Sequence, residues 1–345
     1  MTEEVLPNLY KIEVPLPRNP LKALNSYVIK TQKRNMIIDT GMNREECMTA
    51  MNFALKELDV DLHKTDFFIT HMHADHLGLV PALATDTSRI YLNQQDADIV
   101  MLARNPEYWY AGLRFASLNG FPQKELKEAL EKHPGYRYSA KGNMKFTAPT
   151  EGNVIKIGDY RFRYVGTPGH TRGHTCLYEP ERKILVAGDH ILLDITPNIS
   201  SWNYEYNPLS EYMTSLDKVY KLDVRLVLPG HRRIFGDSKK RIRELKEHHQ
   251  ARIEEVLSIL DGGAMSAYQI ASQMSWDIDC NSWDLFPVSQ KWFATGEAIA
   301  HLKYLDEKGI IKRETRGDRI EFSLKRIWKG SDIITTKRAD ASARE

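Results

Sequence analysis

The chain has 345 residues, a formal net charge of +2 and 42% hydrophobic residues, which suffices for two domains and a sizeable core and gives no reason to expect a polyanionic partner. No apolar run approaches the ~20 residues of a membrane span, and residues 1–5 start no signal peptide. Three scattered cysteines, Cys47, Cys176 and Cys280, argue for reduced thiols and hence for the cytoplasm.

Residues 8–15 and 25–29 read as strands leading into Met36-Ile37-Ile38-Asp39-Thr40-Gly41. Met48, Met51, Leu55 and Leu58 recur at helical spacing and predict a helix over 47–58. The apolar run Phe67-Phe68-Ile69-Thr70 then enters His71-Met72-His73-Ala74-Asp75-His76, four metal-binding side chains in six residues. A strand ending in such a cluster delivers ligands to a sheet edge. His71 and His73 point the same way in extended chain, and one metal cannot comfortably take all four side chains. The simple reading is two metals side by side.

A further strand is expected at 89–92, followed by a helical insert over about 94–150 with helices at 96–102 and 124–131. Between them stand Tyr108, Trp109, Tyr110, Leu113 and Phe115. They suit a lid that forms a pocket for an apolar substrate moiety, or else an insert packed on the core. Trp202, in Ser200-Ser201-Trp202-Asn203-Tyr204-Glu205-Tyr206, is the candidate for an opposite wall. Residues 154–164 alternate as two strands around Gly158-Asp159 and end at Thr167-Pro168-Gly169-His170-Thr171-Arg172-Gly173-His174. The run Ile184-Leu185-Val186 ends at Asp189, a helix is expected over 210–222, and Val227-Leu228-Pro229-Gly230 ends at His231. His71, His73, Asp75, His76, His170, Asp189 and His231 form a ligand set of five His and two Asp. Such an N/O set suits zinc, and also iron or manganese.

Residues 237–260 read as one long helix, stopped by Gly262-Gly263, with His248 and His249 on a helix face. Short helices at 266–274 and 295–308 precede a hairpin at 310–314 and 319–324. His63, His133 and His301 read as surface or cap residues. Helix, helix and hairpin resemble a winged helix. Its span, 261–330, holds ten Lys+Arg and ten Asp+Glu, a neutral module that argues against nucleic acid. The divisions are thus 1–237 for the catalytic domain, 238–260 for a connecting helix, 261–330 for the small domain and 331–345 for a polar tail.

The ordered elements Thr70-His71-Met72-His73-Ala74-Asp75-His76, His170, Asp189 and His231, with Asp39 as a fifth, resemble the metallo-β-lactamase superfamily over roughly the first two thirds of the chain. The resemblance implies an α/β fold, a four-layer αββα sandwich with metals at one edge, followed here by a winged-helix (α+β) module such as ends a group of these proteins. It implies that His71, His73 and His170 hold one divalent ion, that Asp75, His76 and His231 hold a second, and that Asp189 bridges them. The expected chemistry is hydrolysis by a metal-bridging hydroxide, since bound metal lowers water's pKa from about 16 to roughly 7. Asp75 is the expected proton carrier, and Asp39 the group that orients a ligand imidazole. His174 is expected beside the site or facing substrate.

Departures from family patterns narrow the chemistry. β-Lactamases carry Cys where this chain has Asp189, and flavodiiron proteins carry Glu where it has His73. Acyl-homoserine lactonases commonly carry Tyr where it has Leu192. The expected substrate is a small-molecule ester, thioester or lactone. The alternatives are a phosphodiesterase or endoribonuclease acting on nucleic acid, and a metal-holding regulator without turnover. No membrane partner is expected, and a homodimer is compatible with the sequence.

Overall fold

The computed structural model describes residues 2–278 and 280–325; the expected tail at 331–345 lies outside them. Strands β1 (Thr2–Leu6), β2 (Leu9–Pro15), β3 (Ala23–Ile29) and β4 (Asn35–Ile38) open the chain, followed by helix α1 (Glu45–Glu57), β5 (Thr65–Phe68), short helices α2 (Ala74–Leu77) and α3 (Val80–Leu83), and β6 (Ile90–Tyr91). The insert comprises α4 (Gln94–Leu102), α5 (Pro106–Leu118), α6 (Gln123–Lys132), α7 (Pro134–Tyr138) and β7 (Phe146–Thr147). Next come β8 (Val154–Ile157), β9 (Tyr160–Gly166), β10 (Thr175–Glu179), β11 (Ile184–Gly188), α8 (Pro208–Tyr220) and β12 (Leu226–Pro229). The C-terminal part holds α9 (Ser238–Leu260), α10 (Ala267–Ala271), α11 (Val288–Glu307) and the hairpin β13 (Ile311–Arg316) with β14 (Arg319–Leu324).

Strands β1 to β7 form a seven-stranded sheet in sequence order, and β8 to β12 a five-stranded sheet. The sheets face one another through Leu9, Tyr27, Ile29, Met36, Ile38 and Phe68 on one side and Phe162, Tyr164, Leu177, Ile184, Val186 and Leu228 on the other. Because side chains alternate along a strand, the intervening residues serve the outer faces. Val28, Ile37 and Phe67 pack under Cys47, Met51 and Leu55 of α1. Val165, Cys176, Leu185 and Val227 pack under α8 and α9. This is the expected αββα layering. Central strands buried on both faces read as continuous apolar runs, and each fully buried Leu, Ile or Phe contributes about 1.5–3 kcal/mol before entropy.

Topology brings the site together. β4, β5 and β6 run parallel, as do β11 and β12. The segments after β4, β5, β9, β11 and β12 carry Asp39, the His71–His76 cluster, His170, Asp189 and His231, and all open on one edge of the sandwich. Bonds between the sheets fix that edge. Tyr27 Oη and Asn25 Nδ2 donate to Pro229 O at 2.9 and 3.1 Å, and Thr175 N donates to Thr70 O at 2.9 Å.

Sequence expectation and structure differ in four places. β1 is a half-exposed polar edge strand without an apolar period. The aromatic stretch of the insert is itself a helix, α5, with Asn105 as its cap and Pro at its first turn. α11 begins at Val288, seven residues before the expected start, and is buried on nearly every side. His301, expected at the surface or as a cap, is buried on α11, with its Nε2 3.3 Å from Nδ1 of the buried His249 on α9. The helix–helix–hairpin order holds, and Met265 bridges Phe322 to extend the hairpin sheet. No helix among the described residues is long and apolar enough to cross a membrane.

Candidate metal centre

The seven predicted ligands converge. His71, His73 and His170 form one group, Asp75, His76 and His231 another, and His71, His76 and Asp189 a third, with the ligand atoms of each group within 4.8 Å of one another. In the first group, His73 Nδ1 lies 3.0 Å from both His71 Nε2 and His170 Nε2. A tetrahedral ion with 2.0–2.1 Å bonds to nitrogen separates its donors by about 3.3 Å, close to this spacing. In the second, His231 Nε2 lies 3.3 Å from Asp75 Oδ2, and His76 Nε2 lies 4.0 Å from the same oxygen. Asp189 faces both groups, with His170 Nε2 at 3.6 Å and His231 Nε2 at 3.4 Å from Oδ2, and His76 Nε2 at 3.5 Å from Oδ1.

The far side of four imidazoles is already occupied. His76 Nδ1 donates to Asp39 Oδ2 at 2.8 Å, His170 Nδ1 to Asn198 O at 2.7 Å and His231 Nδ1 to Ala23 O at 2.7 Å. Thr70 Oγ1 donates to Asp39 Oδ2 at 2.8 Å, leaving its oxygen to accept from His71 Nδ1 at 3.1 Å. Each partner accepts the Nδ1 proton in its hydrogen bond, so that Nε2 is the nitrogen turned into the site, free to bind an ion once its proton is lost. The buried atoms His76 Nε2, His231 Nε2 and Asp189 Oδ1 have no hydrogen-bond partner. Buried polar atoms left unsatisfied cost about 1–3 kcal/mol each, and here all three aim at one small volume. That is the arrangement a pair of cations would satisfy.

Charge divides the cluster. Burial, reinforced by neighbouring imidazoles, holds His71 well below its ordinary pKa and His73 down at about 3. At His231 burial is outweighed by Asp189 and Asp75, which lift it to about 10. At Asp75 burial is outweighed by His76 and His231, which hold it ionised, down to about 2. Asp39 reaches His76 from a left-handed backbone, φ 58°, a conformation short polar residues tolerate, and its carboxylate also accepts from Thr70 N at 2.9 Å.

The remaining predicted residues sit apart from the ligand atoms. His174 Nδ1 lies 2.8 Å from Thr167 Oγ1, while its Nε2 accepts from Asp189 N at 3.1 Å, so it shapes the Asp189 turn. Trp109 packs within the insert against Tyr108, His133 and Tyr136, its Nε1 donating to Ala103 O at 2.8 Å. Tyr108 is half-buried and Tyr110 is exposed. Trp202 stacks on Trp292 of α11 at 3.9 Å, and Trp292 meets His133 at 6.1 Å. The two predicted walls are thus linked through the C-terminal helix.

One contributor lacked any sequence signal. Asp96, in the first turn of α4, is fully buried. Its carboxylate accepts from Met72 N at 2.9 Å, Thr171 Oγ1 at 2.7 Å and Gly173 N at 2.7 Å. It ties the loop of His71 and His73 to the loop of His170. Any side chain at Gly173 would stand 2.7 Å from it. An acid in a first helical turn is ordinary, so nothing in the sequence set Asp96 apart.

A family model described as the metallo-beta-lactamase superfamily matches residues 21–231, well over half of the chain. The chain belongs to the metallo-beta-lactamase superfamily. A second model, the metallo-beta-lactamase-like C-terminal domain, matches residues 253–323. Among curated relatives, the probable metallo-hydrolase YqjP of Bacillus subtilis is 24% identical over 93% of this chain and 98% of that protein. The atrochrysone carboxyl ACP thioesterase of Aspergillus fumigatus is 25% identical over 74% of this chain and 69% of that protein. Matches to lactamase-like proteins of Emericella nidulans and Caenorhabditis elegans span only 61% and 66% of those proteins. A metallo-beta-lactamase family protein from Thermus thermophilus is 29% identical over 93% of this chain and 100% of that chain, with a TM-score of 0.78.

Proposed function

We propose that this chain is a dinuclear metal-dependent hydrolase of a small-molecule thioester, ester or lactone, with a thioester first among them. The observation that carries the proposal is the pair of ligand groups sharing Asp189, with orphaned buried nitrogens aimed between them. His71, His73 and His170 would hold one ion, Asp75, His76 and His231 the other, and Asp189 would touch both. Two divalent ions, zinc or else iron or manganese, would supply Lewis acidity and an activated water. Asp75 and Asp189 offset part of the cationic charge. Asp75, held ionised and slightly exposed at the site, is placed to take the proton and later release it.

A small-molecule substrate is favoured over nucleic acid by the C-terminal module. α11, the helix that would enter a groove in a winged helix, is buried along its length. Three of the hairpin's cations are already engaged. Lys312 lies 3.0 Å from Glu314, Arg316 pairs with Glu314 and Glu321, and Arg313 stacks on Tyr204 at 3.9 Å. The named activity of the Aspergillus fumigatus relative supports placing a thioester first. Three cysteines without a disulfide partner fit a reducing compartment such as the cytoplasm.

The test offers the zinc-loaded full chain an acyl-CoA, an acyl-homoserine lactone and bis(p-nitrophenyl) phosphate. The expected result is near two ions per chain, with acyl-CoA turnover that falls at least about 100-fold in Asp75→Asn. Turnover confined to the phosphodiester would overturn the proposal.

A further inference from the structure

The segment between Asp189 and α8, residues 190–207, has no helix or strand, yet its Asn198 carbonyl is the acceptor that orients His170. So long an irregular stretch needs an external tether to hold one atom in place. The tether lies on α11. Ser201 N donates to Gly296 O at 3.0 Å, and a Cβ at Gly296 would stand 2.9 Å from the Trp202 ring and 3.0 Å from Ser200. Beside it, Glu297 Oε2 accepts from Asn198 Nδ2 at 3.0 Å, while Asn198 Oδ1 accepts from Ser200 Oγ. With Ser200 Oγ donating to its oxygen, the Asn198 amide turns its NH2 end to Glu297, which accepts. Arg252 lies beside Glu297, its Nε 3.8 Å from Oε1, and is itself fixed by its pair with Glu255 at 2.6 Å, its stack over Trp276 at 4.3 Å and its bond to Ser275 O at 2.6 Å.

We infer that Glu297 is a positioning residue for the metal centre, acting through Asn198 on His170, so that the C-terminal module completes the first ion's site. Partners that orient a ligand imidazole typically govern metal affinity by 10–100-fold. The link bears on one of the two proposed ion sites, because His76 and His231 take their orientation from Asp39 and Ala23. The inference rests on the dinuclear reading above.

The test titrates the metal-free full chain with Zn2+ against a chromophoric chelator, in parent, Glu297→Ala, Glu297→Gln and Asn198→Ala. The parent should take up two ions. In Glu297→Ala one ion should bind about 10-fold or more weakly and the other unchanged. Glu297→Gln keeps an acceptor for Asn198 and should recover most of that loss. The Co2+ absorption of the weakened site should shift in the alanine variant and return in the glutamine one. Should Glu297→Ala fail to fold, Asn198→Ala cuts the same link from the loop side and should show the same one-ion loss. Folded variants with both affinities within about twofold of the parent would overturn the link and leave the dinuclear reading standing. A parent that binds no metal would overturn both.

Discussion

Asp96→Ala isolates the contribution of a residue outside the ligand set. The substitution removes the acceptor from two buried backbone N–H groups, Met72 and Gly173, and from the Thr171 hydroxyl. Each stranded N–H costs about 1–3 kcal/mol, while the hydroxyl can turn elsewhere, giving roughly 4 kcal/mol. Against this stands the burial of Asp96 itself, which lifts its carboxyl to about 6 from 3.8 despite its three donors. At neutral pH that shift is a penalty of about 3 kcal/mol, at 1.36 kcal/mol per unit. The net destabilisation at neutral pH is then only about 1 kcal/mol, or roughly 1–2 °C in Tm for a chain of this size.

The pH dependence has a definite sign. A raised carboxyl binds its proton more tightly in the folded chain, so this contribution to stability is full below pH 3.8 and is lost as pH rises through 6. The parent-minus-alanine difference in Tm should therefore shrink between pH 4 and pH 7. The larger effect should fall on zinc affinity, because the loops of His71, His73 and His170 lose their common anchor; about 10-fold weakening is expected. Asp96→Asn retains one accepting oxygen and should fall between the two. The assays are thermal denaturation of the metal-free chain across pH and chelator competition of the loaded one. A Tm within about 1 °C of the parent at every pH, together with unaltered affinity, would refute the reasoning.

Other perturbations test neighbouring claims. Chelation of the loaded protein should lower Tm by several degrees and re-addition of zinc should restore it, since a ligand at 100 times its Kd stabilises by about 2.7 kcal/mol; a Tm indifferent to chelation would count against an ordered metal centre. Glu297 is lifted to about 7 by burial, opposed by Arg252 and Asn198, so its stabilising contribution drops between pH 4.5 and 7. Glu297→Gln should accordingly gain stability relative to the parent as pH rises from 5 to 8, in differential scanning calorimetry; a constant difference would contradict this. Trp202→Ala, which unstacks Trp292, should destabilise the chain by about 2–4 kcal/mol, and Trp202→Phe by less, as measured by urea titration. Electrophoretic retardation of duplex DNA or RNA by the full chain should be undetectable at about 0.15 M salt; tight, steeply salt-dependent binding would revive the nucleic-acid reading.

The legible part of this protein was whatever depends on neighbours in sequence. Each ligand segment follows a short strand-like run, so the apolar runs before and within β5, β11 and β12 and the alternation of β9 announced both the strands and the ends at which chemistry sits. Asp39 was legible for the same reason, at the end of β4. What stayed hidden is long-range satisfaction of polar groups. Asp96 looks like any acid opening a helix, and its three donors come from two other loops. His301 reads as a surface residue because its partner His249 lies 52 positions away on another helix. α11 escaped proper delimitation because a helix buried on all sides shows no polar stripe to mark its phase. The same burial changes the meaning of the C-terminal module. A helix with Lys291, Glu297 and His301 all inside cannot be a spare recognition surface, since each buried polar group there would be costly unless it had a partner in the rest of the chain. Those partners are Glu125 of the insert, Asn198 of the segment after Asp189 and His249 of α9, so removing the module would strip hydrogen bonds from all three.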